Sequence, residues 1–173
     1  MEQFGRITSP GTLRLERSLP GPIQRVWAYL TESEKRGKWL AKGDMELFEG
    51  GKVHLTFLHR ELSPLPDTIP EKYKNMEEGH QFTGTVLQIA APHLLSFTWE
   101  GGSEVTFELA EQANRVQMVI THRKLGDKKS QLLSVASGWH NHVGILIANL
   151  EGTTPQPFWK THEVLEAAYK EII

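Results

Sequence analysis

Histidine is the residue in this chain best suited to proton chemistry, because its ordinary pKa lies near neutrality. Three of the eight histidines fall in phase with apolar neighbours. His59 follows Val53, Leu55 and Phe57; His122 follows Val116, Met118 and Ile120; His142 sits between Trp139 and Leu146 at helical spacing. A histidine so placed can hydrogen-bond a ligand carbonyl or act as a general base. The alternative is a histidine at a strand end or helix edge, satisfied by backbone or water. His140 and His142 are two residues apart on a helix, point to different sides, and make no natural metal pair.

Other chemistries find less support. His162-Glu163-Val164-Leu165-Glu166 has the opening of the zincin helix motif, but Glu166 stands where the second histidine belongs. No Gly-x-Ser-x-Gly elbow, Walker loop or dinucleotide fingerprint occurs. The chain has no cysteine, which excludes a disulfide framework, a thiolate metal site and a Cys nucleophile, and fits a reducing compartment. No metal and no cofactor is therefore expected. Arg123, Lys124, Lys128 and Lys129 cluster at a turn and read as a solvated edge. With 19 Lys plus Arg against 21 Asp plus Glu, the net charge of -2 gives no reason to expect nucleic acid or an anionic membrane surface. The N-terminus has no apolar run behind a basic start, and no segment reaches membrane-span length. A cytoplasmic location is expected.

The elements that position these residues follow from hydrophobic period. At 173 residues the chain is long enough for one domain with a sizeable core. Residues 1–11, with Ser9-Pro10-Gly11 and little periodicity, read as a loose arm; residues 12–173 read as the single domain. Leu13, Leu15, Arg17 and Leu19 alternate as a half-buried strand. Pro22 suits the first position of a helix carrying Ile23, Val26, Trp27 and Leu30. Thr31-Glu32-Ser33-Glu34 has the form of a capping box starting a second short helix to Trp39 or Leu40. Residues 45–49 and 52–59 read as a hairpin joined at Gly50-Gly51. Residues 61–78, with Pro64, Pro66 and Pro70, form a long unpatterned stretch, either a lid or a passive loop. Strand signals at 81–91, 94–100, 104–109 and 115–124 imply an antiparallel meander. From about Ser130 to Glu151 the period becomes helical, for roughly 30 Å at ~1.5 Å per residue, and a last helix runs to the C-terminus. The fold class is α+β: a curved antiparallel sheet of six or seven strands around a long C-terminal helix.

Several segments are familiar in order and spacing. Leu19-Pro20-Gly21-Pro22 leads into Val26-Trp27, with a second tryptophan in Lys38-Trp39-Leu40. Gly50-Gly51-Lys52-Val53 follows, then Gly84-Thr85-Val86 and Pro92-His93-Leu94, and finally Ser137-Gly138-Trp139 opening an apolar helix. Over roughly residues 12–171 the chain resembles the activator-of-heat-shock-protein-90-ATPase homologue family of the SRPBCC, or START-like, superfamily. Gly21-Pro22 replaces the family's Ala-Pro.

That resemblance implies a helix-grip fold with an apolar cavity between sheet and helix, where superfamily members bind hydrophobic molecules. The residues placed to line it are Trp39, Phe57, His59, Phe82, Phe97, Trp99, Phe107, Met118, His122, Trp139, His142, Val143 and Leu146. Aromatic and Met side chains suit an apolar ligand, and they equally suit a filled core. Three functions stay open: a module binding a small hydrophobic or lipid molecule, a co-chaperone partner of the heat-shock-protein-90 type, and an aromatase/cyclase-type enzyme whose histidine moves protons. Binding is preferred to catalysis, and a homodimer stays open.

Overall fold

The computed structural model describes residues 3–173. Seven antiparallel strands make one sheet: β1 Arg6–Ser9, β2 Thr12–Pro20, β3 Lys52–Phe57, β4 His80–Ala90, β5 Leu94–Thr98, β6 Glu104–Gln112 and β7 Arg115–Arg123, in the order β1-β2-β7-β6-β5-β4-β3. Two short helices, α1 Ile23–Thr31 and α2 Ser33–Arg36, follow β2. The long helix α3 spans Lys129–Glu151, and α4 spans Phe158–Lys170. This is the helix-grip α+β architecture.

Alternation dictates the inner face. In β6 Val105, Phe107 and Leu109 are buried, and in β7 Val116, Met118, Ile120 and His122, while the residues between them are more exposed. Register places Phe107 opposite both Leu95 and Ile120. The α3 residues Trp139, Val143, Leu146 and Leu150 are all buried, in one core cluster with these strand residues. At roughly 1.5–3 kcal/mol per buried large side chain, this face holds the helix in the sheet. Gly152, at φ +73°, ends α3 in the left-handed conformation that most side chains resist.

Several expectations need correction. The stretch 1–11 is not simply a loose arm: Arg6–Ser9 pairs with β2, and only its first two residues lie outside the described chain. Its mostly exposed side chains gave no apolar period to read. The capping box does not form. The Thr31 hydroxyl donates back to the Trp27 carbonyl (2.9 Å) and closes α1, while Ser33 Oγ accepts from the Gly43 N–H (2.9 Å). Accordingly α2 has only four residues. The expected first hairpin reduces to isolated bridges, Met45↔Val53 and Lys42↔Thr56, because β3 takes β4 as its ladder partner. The β3 strand stops at Phe57, and His59 opens a single 3₁₀ turn, His59–Glu61, while staying buried.

A buried arginine ties the α1–α2 corner. Arg36 donates from Nε to the Ala41 carbonyl (3.1 Å), from Nη1 to the Leu30 and Thr31 carbonyls (3.2 and 3.1 Å), and from Nη2 to the Gly43 carbonyl. Desolvation lowers its pKa to about 10, partly countered by Asp44. The five-donor fork suits a cluster of backbone acceptors that no ammonium could span.

The segment 61–78 is fastened rather than loose. Asp67 accepts from the first N–H groups of α4, Oδ2 from Trp159 (2.7 Å) and Oδ1 from Lys160 (3.1 Å), acting as an N-cap from outside the helix. Ser63 Oγ donates to the Pro155 carbonyl (2.7 Å). A 3₁₀ helix, Glu71–Met76, brings Lys72 and Tyr73 to Glu166, with Lys72 Nζ at 2.5 Å and the Tyr73 hydroxyl donating to the same carboxylate.

Candidate functional site

The site grows from a missing side chain. Gly138 lies in the middle of α3, and a Cβ built there would meet no atom within 4 Å. Beside it opens a recess of about 110 Å³ between sheet and helix, lined by Leu40, Phe57, Trp99, His122, Val135, Gly138, Trp139 and His142. A second cleft of about 320 Å³ shares Phe57 and Trp99 with it and adds His59, Asn75, Met76, His80, Phe82 and Glu100. The 61–78 segment thus supplies Asn75 and Met76 to that outer space.

The sheet brings these residues together across strands. Phe57 ends β3 and stands opposite His80 of β4; Trp99 follows β5. Their rings meet edge to face at 5.9 Å, with Phe82 stacked on Phe57 at 5.8 Å. Trp99 also contacts Trp139 of α3 at 5.1 Å and His122 of β7 at 5.7 Å.

The two histidines bordering the recess differ. The Trp139 indole N–H donates to His122 Nδ1 (3.0 Å), because an indole nitrogen can only donate. His122 Nε2 therefore carries the proton and donates to Ser103 Oγ (2.8 Å), which donates to the Glu100 carbonyl (3.0 Å). Every hydrogen-bonding atom of that ring is engaged. His142 has the other tautomer. Its Nδ1 lies 2.7 Å from the Trp39 carbonyl, which only accepts, so Nδ1 bears the proton and Nε2 keeps its lone pair. Burial pushes both rings down to about pKa 4, so both are neutral near pH 7.

His59 packs between Phe57 (5.8 Å) and Phe158 (4.3 Å) and lies 5.5 Å from the His142 ring. Burial, reinforced by His142, His162 and His80, pushes it to about 3, and its Nδ1 has no hydrogen-bond partner. His162 Nε2 is 2.9 Å from Glu166 Oε1, and burial lowers its pKa despite that carboxylate. Among the described residues no group of three or more His, Asp or Glu side chains is arranged to hold a metal ion.

The structure sorts the sequence candidates into three groups. Phe57, Trp99, His122, Trp139 and His142 border the recess. His59 and Phe82 border the outer cleft. Trp39, Phe97, Phe107, Met118, Val143 and Leu146 are packed in the core and border neither space. Trp39 supports the site from behind: its indole N–H donates to the Tyr29 carbonyl (2.8 Å) and its own carbonyl fixes His142. Sequence reasoning missed Leu40, Val135 and Gly138 in the recess, and Asn75, Met76, His80 and Glu100 in the outer cleft. A glycine inside a long apolar helix was the available signal, since it weakens the helix by about 1 kcal/mol relative to alanine; α3 has two, Gly138 at the recess and Gly144 away from it.

Comparison with known proteins fits this architecture. The family described as Activator of Hsp90 ATPase homolog 1-like protein matches residues 20–151. The solution structure of the protein encoded by gene BPP1335 from Bordetella parapertussis superposes with a TM-score of 0.83 at 36% identity, over 100% of this chain and 91% of that one. CalU16 from Micromonospora echinospora gives a TM-score of 0.69 at 20% identity, over 99% and 96% of the two chains. DynU16, a putative protein in the dynemicin biosynthetic locus, gives 0.60 at 18% identity, over 85% of this chain and 49% of its own. No curated protein matches the chain. The fold follows from the latter two and the family from the matched residues: the chain belongs to the Activator of Hsp90 ATPase homolog 1-like family.

Proposed function

We propose that this protein binds a small hydrophobic molecule in the recess between the sheet and α3. The observation that carries the reading is Gly138. A glycine at mid-helix weakens α3, and its missing side chain leaves open a space lined almost wholly by apolar and aromatic groups. An engineered cavity of about 150 Å³ takes up benzene, so a recess of about 110 Å³ beside a larger cleft suits a ligand built on one ring. The flanking cleft gives such a ring a route to the surface, beneath Asn75 and Met76 of the fastened segment.

The test is a titration with toluene, followed by NMR at the indole N–H signals of Trp99 and Trp139. The wild type shows saturable shifts at both. Gly138→Leu, which places a side chain in the recess, stays folded and shows none. Equal shifts in wild type and variant, or none in the wild type, would overturn the reading.

The catalytic alternative of the cyclase type has one base to draw on in the recess, since the ring of His122 is engaged on both sides. A co-chaperone role draws on the family's description and on Leu47 and Phe48, exposed by 48% and 56% ahead of the Gly50-Gly51 turn. It predicts capture of a heat-shock-protein-90-type chaperone that Phe48→Ser abolishes; no capture by the wild type sinks it.

A further inference from the structure

The histidines of this site are too deeply buried and too asymmetrically bonded to be equivalent wall material. His142 is only 6% exposed, borders the recess, and is anchored by Nδ1 to the Trp39 carbonyl at 2.7 Å. That anchor comes from the segment just after α2, so it fixes ring orientation and tautomer together. Among the described residues no protein group donates to Nε2. The other histidine in the recess has no capacity left, with Trp139 on one nitrogen and Ser103 on the other. The remaining lining side chains are Leu40, Phe57, Trp99, Val135 and Trp139. None of them accepts a hydrogen bond. The Trp99 indole N–H is also unpaired, but Trp99 is only half-buried and water can serve it.

A recess with a single side-chain acceptor in apolar walls discriminates among apolar ligands. An unpartnered hydroxyl taken out of water costs free energy, so a phenol entering a purely apolar space binds no better than its methyl ether. A fixed acceptor reverses that order, and a site built to hydrogen-bond a hydroxyl rejects the analogue lacking it. Resting on the binding function proposed above, we propose that the recess selects a ring-sized apolar molecule bearing one hydrogen-bond donor, a phenol-type hydroxyl, which it seats on His142 Nε2. The imidazole stays neutral and the hydroxyl keeps its proton, so the ligand is held and unchanged. The low pKa that burial gives His142 is in keeping with a ring that accepts without becoming charged.

The experiment compares p-cresol, 4-methylanisole and toluene on the wild-type protein at pH 7, by NMR titration. All three share the ring, and only p-cresol donates. The expected result is p-cresol binding on the order of tenfold tighter than 4-methylanisole, the worth of one well-made buried hydrogen bond. The His142 Nε2 nitrogen signal moves on adding p-cresol and stays in place with the other two. In His142→Leu the preference disappears while toluene still binds; because that variant also loses the anchor to Trp39, the wild-type nitrogen signal is the deciding readout. Equal affinities with toluene still bound, or an unmoved Nε2 signal at saturating p-cresol, would refute the selection and leave the apolar recess standing. Failure of all three ligands to bind would remove the recess reading and this proposal together.

Discussion

The walls of the recess on β7 and on α3 each carry a buried neutral histidine, and the two are built in opposite ways. On β7, His122 is the middle of a closed chain from the Trp139 indole through Ser103 to the Glu100 carbonyl. On α3, His142 is tied at one nitrogen only. A residue whose donors and acceptors are all met inside the protein stabilises; one left with a lone pair at the border of a recess can recognise. Position on an apolar face does not separate the two cases, and hydrogen-bond bookkeeping does.

The largest effect expected from this comparison is on acid stability. His59, His122 and His142 have folded pKa values of about 3, 4 and 4, below the roughly 6.5 of an unfolded chain. Between about pH 4 and 6.5 the unfolded state binds more protons, so stability falls as pH falls through that window and is flat above it. Each ring contributes roughly 1.4 kcal/mol per pH unit there. Urea unfolding between pH 7.5 and 4.5 should show a steep loss below about pH 6, and a flat profile would contradict neutral burial.

Next in size is the engaged histidine. His122→Phe strands the Trp139 N–H and removes the donor to the Ser103 hydroxyl, which keeps its own bond to the Glu100 carbonyl, and should cost roughly 2–3 kcal/mol in urea unfolding. His142→Phe strands only the Trp39 carbonyl and should cost about half as much. Equal losses would break the contrast. Smaller again, Gly138→Ala should raise stability by about 0.5–1 kcal/mol while weakening toluene binding, a trade between helix and recess. Smallest is Ser137→Ala. The Ser137 hydroxyl is fully buried with no partner, so its removal should change stability by no more than about 0.5 kcal/mol or raise it slightly.

Much of this fold was legible in the sequence because its period is clean. The alternation in 104–109 and 115–124 and the switch to helical spacing after Lys129 mark strands β6 and β7 and helix α3; the inward residues of the two strands are correctly assigned, while α3 also buries Ser137, His140, Asn141 and Ile145 off the expected stripe. The failures were local. Arg6–Ser9 forms an edge strand whose pairing is supplied by the backbone, which leaves no side-chain pattern. The 61–78 segment is held by Asp67 at the start of α4 and by Tyr73 and Lys72 at Glu166, contacts about ninety residues apart that local pattern cannot foresee. The site was legible only as a face. Phe97, Phe107 and Met118 point the same way as Trp99 and His122, but whether a side chain fills space or borders it depends on what stands opposite. Opposite the recess stands Gly138, so the informative residue was the smallest one.

The contrast between the two histidines is tested most directly by their tautomers. Long-range proton–nitrogen correlation on the uniformly labelled protein at pH 7 reads which ring nitrogen carries the proton. The bonding described here predicts opposite forms, His122 protonated on Nε2 and His142 on Nδ1. His142 protonated on Nε2, or either ring found as the imidazolium at that pH, would contradict it.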